Sequence, residues 1–271
     1  MLEYPEIKTI VSQMQTALIG KTVASGMLVK KNNNMFMNED DAAKYSLLSG
    51  GTVTRIECLP PEIYVMLDNG YGMLFCQCGG KILYHEANPP QNHNIIFGFT
   101  DGSSFTYTMM LFTLGVFAVT HDDWQSRIRT NAKFDPLGQH TFEDYVEFIG
   151  RMPEEEAKKP VKTFLATNLS GVMSSFAAEI LLYAKIYPST QLRKLDESQH
   201  KRLYDAMKSV LASAYEKGGR VSEFNLYGQK GKYVAMAERK HIGENCPVCG
   251  NTLGKVSVGG VTAFCPNCQA K

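Results

Sequence analysis

Positive charge is scarce where a polyanion-binding surface would need it: from residue 56 to residue 126 there is no arginine and one lysine, Lys81. The chain also lacks a long hydrophobic run. The longest, residues 109–119, is broken by Thr113 and Gly115 and is far too short to cross a bilayer. No internal repeat and no signal-peptide pattern is evident. With 44% hydrophobic and 20% charged residues, the composition carries none of the bias of a disordered chain. These absences lead us to expect a monomeric cytoplasmic protein, nucleoid-associated if bacterial, in a reducing compartment and with no membrane partner. In such a compartment Cys58, Cys76 and Cys78 are expected to be buried free thiols.

The other four of the seven cysteines form a pattern. Cys246-Pro-Val-Cys249 and Cys265-Pro-Asn-Cys268 are two Cys-x-x-Cys knuckles separated by fifteen residues that include Gly259-Gly260. Each knuckle offers two sulfurs from one tight turn, and two of them on a hairpin supply the four soft ligands that tetrahedral Zn²⁺ prefers. A four-thiolate site has no open coordination position, so one structural Zn²⁺ is expected and not a catalytic one. A module this small buries little core, and zinc binding of about 10–16 kcal/mol in apparent free energy supplies what packing cannot.

Net charge is +1, but it is unevenly spread. Residues 1–150 carry ten Lys+Arg against sixteen Asp+Glu, and residues 151–271 carry eighteen against eleven. The second half therefore faces polyanions or acidic surfaces, or simply presents a solvated basic face.

Along the chain, Pro5-Glu6 opens a helix in which Ile7, Ile10, Val11, Met14 and Leu18 recur at helical spacing. From residue 22 to about 134 the pattern changes to strands, at 52–56, 63–67, 71–75, 95–99 and 104–108. Asp68-Asn69-Gly70 and Asp101-Gly102 mark hairpin turns. This predicts a β-sandwich or barrel with one helix packed on it. A linker at 133–138 leads to helices at 141–151, 161–166, 171–184 and 196–217, with 153–160 as a solvated loop. Asp196 and Gln199 can cap the last helix, and Gly218-Gly219 ends it.

The order of these parts, from Glu3-Tyr4-Pro5-Glu6 to a terminal Cys-Pro-x-Cys-Gln, resembles the formamidopyrimidine-DNA glycosylase / endonuclease VIII family. The likeness is specific from Lys162 onward. Lys162-Thr-Phe-Leu-Ala-Thr-Asn-Leu-Ser-Gly171 and Ala177-Ala-Glu-Ile-Leu-Leu-Tyr-Ala-Lys-Ile-Tyr-Pro188 are similar to the family's helix-two-turn-helix. Gly218-Gly219-Arg220 and residues 226–233 continue the match. The resemblance implies an α+β multidomain fold: a β-sandwich with flanking helix at 1–135, a helix-two-turn-helix domain at 136–222 and a zinc-finger hairpin at 223–271. It implies a DNA repair enzyme that excises oxidised bases from double-stranded DNA and nicks the abasic strand. Lys162, Asn168, Gly171 and Ser174 would hold one phosphate at a helix start, and Lys230 and Lys232 would lie beside the finger.

Several family groups are missing. The usual nucleophile is an N-terminal proline amine; here Leu2 stands in its place, which leaves the amine of Met1, one residue or roughly 3.5 Å further out. A primary α-amine is chemically able to form the Schiff base. Glu3 is the expected general acid, positioned by Glu6, unless both serve only helix-start electrostatics. A strand lysine is replaced by Pro61, the Gly-Asn pair at the phosphate helix by Met173-Ser174, and the finger loop has Lys255 but no arginine. The strand-inserting loop corresponds to 109–115, either an apolar wedge or a core strand. The expected function is thus weakened glycosylase and lyase activity or, alternatively, a catalytically silent protein that binds DNA or abasic sites.

Overall fold

The computed structural model describes residues 1–30, 37–76, 79–109, 115–131 and 133–270. Contacts gather them into two units, Met1–Ala132 with Lys217–Lys232 and Lys133–Glu216 with Tyr233–Lys271. No helix among the described residues is long and apolar enough to cross a membrane.

The N-terminal unit opens with α1 (Tyr4–Leu18), whose Pro5 occupies the first turn, where a missing N–H costs nothing. Eight strands follow: β1 (Val23–Leu28), β2 (Val53–Leu59), β3 (Glu62–Leu67), β4 (Tyr71–Cys76), β5 (Gly80–His85), β6 (Ile95–Phe99), β7 (Ser104–Met109) and β8 (Gly115–Thr120). They form two antiparallel sheets of order β1-β6-β7-β5 and β2-β3-β4-β8. Alternation decides which side chains face inward. Phe97, Phe105 and Tyr107 of one sheet and Ile63, Val65, Met73 and Phe75 of the other share a core with Ile7, Ile10 and Met14 of α1. The Phe97 ring lies 5.1 Å from Phe105 and 4.8 Å from Tyr45, and Phe75 lies 5.6 Å from Phe105. Gly70 and Gly102, with φ of +88° and +86°, make the two hairpin turns read from sequence. The result is a β-sandwich with α1 packed on it.

Among the described residues two further helices flank this unit, where α1 alone was expected. Short α2 (Glu39–Ala43) is capped by Asn38, whose Oδ1 accepts from the Asp41 N–H at 2.9 Å. Next, α3 (His121–Asn131) is polar except for Trp124 and Ile128, too thin an apolar stripe to announce a helix. Trp124 stacks on Tyr64 at 5.1 Å and its Nε1 donates to Glu57 at 2.6 Å, closing the outer face of the second sheet. Cys76 is buried and Cys58 half-buried; Cys78 lies outside the described residues. Met109 ends β7 and Gly115 begins β8, while the wedge or core strand expected between them, 110–114, also lies outside the described residues.

In the C-terminal unit, 133–138 is a packed turn in place of the expected linker. Phe134 bridges Leu169, and Asp135 Oδ1 accepts from the N–H groups of Leu137 and Gly138. Then come α4 (Phe142–Gly150), α5 (Glu154–Ala157), α6 (Val161–Asn168), α7 (Ser174–Ala184) and α8 (Glu197–Glu216). The short α5 forms where a solvated loop was expected. Its three N-terminal glutamates suit the helix dipole, and Lys158 and Lys159 pair back to Glu154 and Glu156. The cap on α8 forms as read: Asp196 Oδ1 accepts from the Gln199 N–H at 2.8 Å, and Gln199 Oε1 accepts from the Asp196 N–H at 2.9 Å. Leu203, Met207, Val210 and Leu211 of α8 share a core with Phe176, Ile180 and Leu181 of α7. The chain closes with the antiparallel hairpin β9 (Gly254–Ser257) and β10 (Val261–Phe264).

Residues 217–232, expected to be shared between the helical domain and the finger, pack in the N-terminal unit. Leu226 enters the sandwich core, its carbonyl accepts from the Tyr84 N–H at 2.8 Å, and its N–H donates to Gln13 Oε1 at 2.9 Å. Phe97→Ala is expected to cost about 3–5 kcal/mol, by loss of transfer energy plus a cavity. Urea unfolding should show a lower midpoint at unchanged slope.

Candidate metal centre, helix start and N-terminal cluster

The four cysteine sulfurs lie within 4.8 Å of one another. That spacing fits four thiolates around Zn²⁺ at Zn–S distances of about 2.3 Å. Cys246, Cys249, Cys265 and Cys268 therefore hold one structural Zn²⁺. The knuckle turns aim backbone donors at sulfur: the Val248 N–H donates to Cys246 Sγ and the Cys268 N–H to Cys265 Sγ, each at 3.4 Å. Apart from the ion, the thiols are shifted in different directions: a backbone donor at Asn251 pulls Cys249 down, while burial pushes Cys246 and Cys268 up.

The finger is joined to α6 and α7 by buried polar contacts. Gln269 Nε2 donates to the Ile186 carbonyl at 2.8 Å. Glu179, fully buried on α7, accepts from Tyr233 Oη at 3.1 Å and from the Ala237 N–H at 2.7 Å, and burial raises its carboxyl to about 6. Lys162 is 2% exposed, and its Nζ donates to the Val258 carbonyl at 2.9 Å, at the tip of the β9–β10 hairpin. Ser174, the exposed first residue of α7, has Oγ 3.5 Å from the Gly259 carbonyl.

This packing brings Lys162 and Ser174 together under the finger tip. Gly171 turns the chain toward α7 at φ +66°, followed by Met173 in extended conformation. Asn168 is placed otherwise: its Nδ2 donates to Glu156 Oε2 at 3.0 Å and to the Phe164 carbonyl at 3.2 Å, within α6 and its neighbour. Lys230 and Lys232 belong to the N-terminal unit, and Lys230 Nζ lies over the Phe224 ring at 5.7 Å. One residue near the α7 start had no sequence signal. Glu238 accepts from Ser175 Oγ at 3.0 Å and pairs with Lys240 at 2.7 Å, which sets a carboxylate beside the positive end of the helix.

In the N-terminal unit, Met1 is 43% exposed, whereas Leu2 is 1% exposed within the sandwich core. Glu3 and Glu6 are both buried, at 3% and 2% exposure. The residue that makes this possible is Arg220. Its Nη1 lies 3.4 Å from Glu3 Oε1, its Nε and Nη2 each 3.1 Å from Glu6, and Nη2 donates to the Met1 carbonyl at 2.9 Å. Glu6 accepts further from the Glu3 N–H at 2.9 Å and the Arg220 N–H at 2.8 Å. Burial pulls the guanidinium pKa down, but Glu6 and Glu3 outweigh it and hold it above its ordinary value. Sequence marked Arg220 only as part of a matching run; no local pattern reveals that it returns to the chain's first residues.

Comparison with known proteins agrees with these parts. Residues 243–271 match the model of the zinc finger found in FPG and IleRS. The formamidopyrimidine-DNA glycosylase of an Exiguobacterium species is 26% identical over 283 residues, covering 100% of both chains. That of Streptococcus pyogenes serotype M3 is 25% identical over 281 residues, covering 100% of this chain and 99% of its own. The chain is thus similar over its whole length to formamidopyrimidine-DNA glycosylases. Its fold is theirs as well. The MutM (Fpg) protein of Thermus thermophilus superposes with a TM-score of 0.81 at 22% identity, over 99% of both chains. The Lactococcus lactis Fpg in complex with DNA containing an abasic site gives 0.82 at 22% identity, over 99% of this chain and 100% of that one.

Zinc removal tests the metal centre. Metal analysis should find one zinc per chain, and Cys249→Ser or a strong chelator should release it. Amide exchange should then rise across 243–270 while the sandwich remains protected, because a structural zinc site is folding free energy for the module that binds it.

Proposed function

We propose that this protein binds double-stranded DNA through its C-terminal unit and processes damaged or abasic sites through its N-terminal residue. It would be a base-excision glycosylase and abasic-site lyase of weakened activity. The observation that carries this reading is the presence, in a chain similar over its whole length to DNA glycosylases, of a finger tip packed on a helix start and, separately, of an acid pair at the head of α1. The positive end of α7, the Ser174 hydroxyl and the turn at Gly171 suit a phosphate oxygen. Lys162 supports that site from beneath, through the finger-tip carbonyl.

For the chemistry, the Met1 amine is the candidate nucleophile toward the sugar C1′, and the bond to the damaged base breaks as the Schiff base forms. Glu3 and Glu6 are its neighbours in sequence. One feature argues for low activity: a buried Leu2 stands where the resemblance places the nucleophile, which leaves the amine one residue further out, on Met1. The same feature favours the second reading, a silent protein that recognises DNA or abasic sites without cutting them.

Borohydride trapping on abasic and oxidised-base duplexes separates the two. A covalent adduct that disappears when the N-terminus is blocked is the expected outcome for the enzyme, and no adduct at high protein concentration eliminates it. Intact-mass measurement of the purified protein identifies which residue carries the amine.

Binding is tested independently. Affinity for a short duplex should fall linearly on a log–log plot against salt, and a flat response would remove the phosphate-contact proposal. Ser174→Asp should weaken binding about tenfold or more with no loss of stability, since an acid at a helix start favours the fold but repels phosphate.

A further inference from the structure

Glu3 and Glu6 lie within one turn of α1, and both are withdrawn from water. Two carboxylates so placed do not stay ionised together without a compensating cation. The structure supplies one from more than two hundred residues away. Gly218 and Gly219, at φ +70° and +93°, bring the chain against α1 so closely that a Cβ on Gly219 would stand 2.7 Å from Glu6 Cγ. A Cβ on Gly231 would stand 2.1 Å from the Gly219 carbonyl oxygen, so the loop is closed tightly on both sides. That closure aims the Arg220 fork at Glu3, Glu6 and the Met1 carbonyl together.

We infer that Arg220 is a positioning residue of the N-terminal site: it keeps Glu3 and Glu6 as carboxylates and pins the Met1 carbonyl, so that residue 1 is presented in one direction. The inference rests on the proposed function for its chemical meaning but not for its test. Among the charged groups facing the pair are Arg220 itself and Glu223, 3.8 Å from Arg220 Nη2. Its contact with Arg220 places the Glu3 carboxyl beside residue 1, where it can steady positive charge on an iminium. A guanidinium fits this place better than an ammonium because three separate acceptors must be reached from one rigid group.

The test compares Arg220→Ala and Arg220→Lys with the wild-type chain, each checked for folding by circular dichroism. Carboxyl carbon NMR, with Glu3→Gln and Glu6→Gln for assignment, follows the pair through pH. In Arg220→Ala the higher of the two macroscopic transitions should move up by about one pH unit or more, a tenfold change in proton affinity. Arg220→Lys should restore most of the titration. In borohydride trapping, Arg220→Ala should lose tenfold or more, and Arg220→Lys should stay low because it cannot also hold the Met1 carbonyl. An unchanged carboxyl titration in folded Arg220→Ala overturns the inference. If the wild-type chain traps nothing, the lyase reading falls while the titration still decides the role of Arg220. Should Arg220→Ala not fold, Arg220→Lys carries the test: equal trapping by Arg220→Lys and wild type would overturn the pinning of residue 1, and reduced trapping at retained titration supports it.

Discussion

A buried guanidinium between two buried carboxylates is the constraint around which the N-terminal unit is arranged. Removing Arg220 would leave uncompensated carboxylate charge out of water, a penalty of about 3–5 kcal/mol. Through it, residues 1–6 and 219–220 become one structure. That explains why 217–232 packs with the sandwich even though α8, directly before it, belongs to the other unit. Leu226, inserted beneath Tyr84, then anchors the far end of the same segment with apolar burial and a strand-like hydrogen bond.

The C-terminal unit uses a comparable device with metal in place of arginine. Zinc folds the finger, and buried polar contacts from Lys162, Glu179 and Gln269 orient it on α6 and α7. Each of these side chains is buried and bonded, as an interior polar group must be. In consequence, Lys162 is bonded to the finger-tip carbonyl and is not exposed. The finger loop has no arginine, and the carboxylate of Glu238 stands beside the start of α7.

Much of the architecture was legible because it follows from local rules. Strands form at the expected places, Asp196 caps α8, Gly70 and Gly102 turn hairpins, and the cysteine knuckles converge on one point. What escaped was set by sparse or distant signals. Helix α3 has two apolar residues, and its place is decided by Trp124 meeting Tyr64 and Glu57. The side-chain amide of Asn168 is likewise set by neighbours in space, donating to Glu156 and to the Phe164 carbonyl.

By itself, then, the sequence determined the zinc ligands, the cap of α8, the hairpin turns and the likeness to DNA glycosylases, since spacing within a few residues carries each of these. Only the tertiary structure decided that Leu2 is core, that Arg220 pairs with Glu3 and Glu6, and that Lys230 and Lys232 belong to the N-terminal unit. The reason is physical. Burial and charge pairing are properties of neighbours in space, and the neighbours of residues 1–6 include one at position 220, which no periodicity in the chain connects to them.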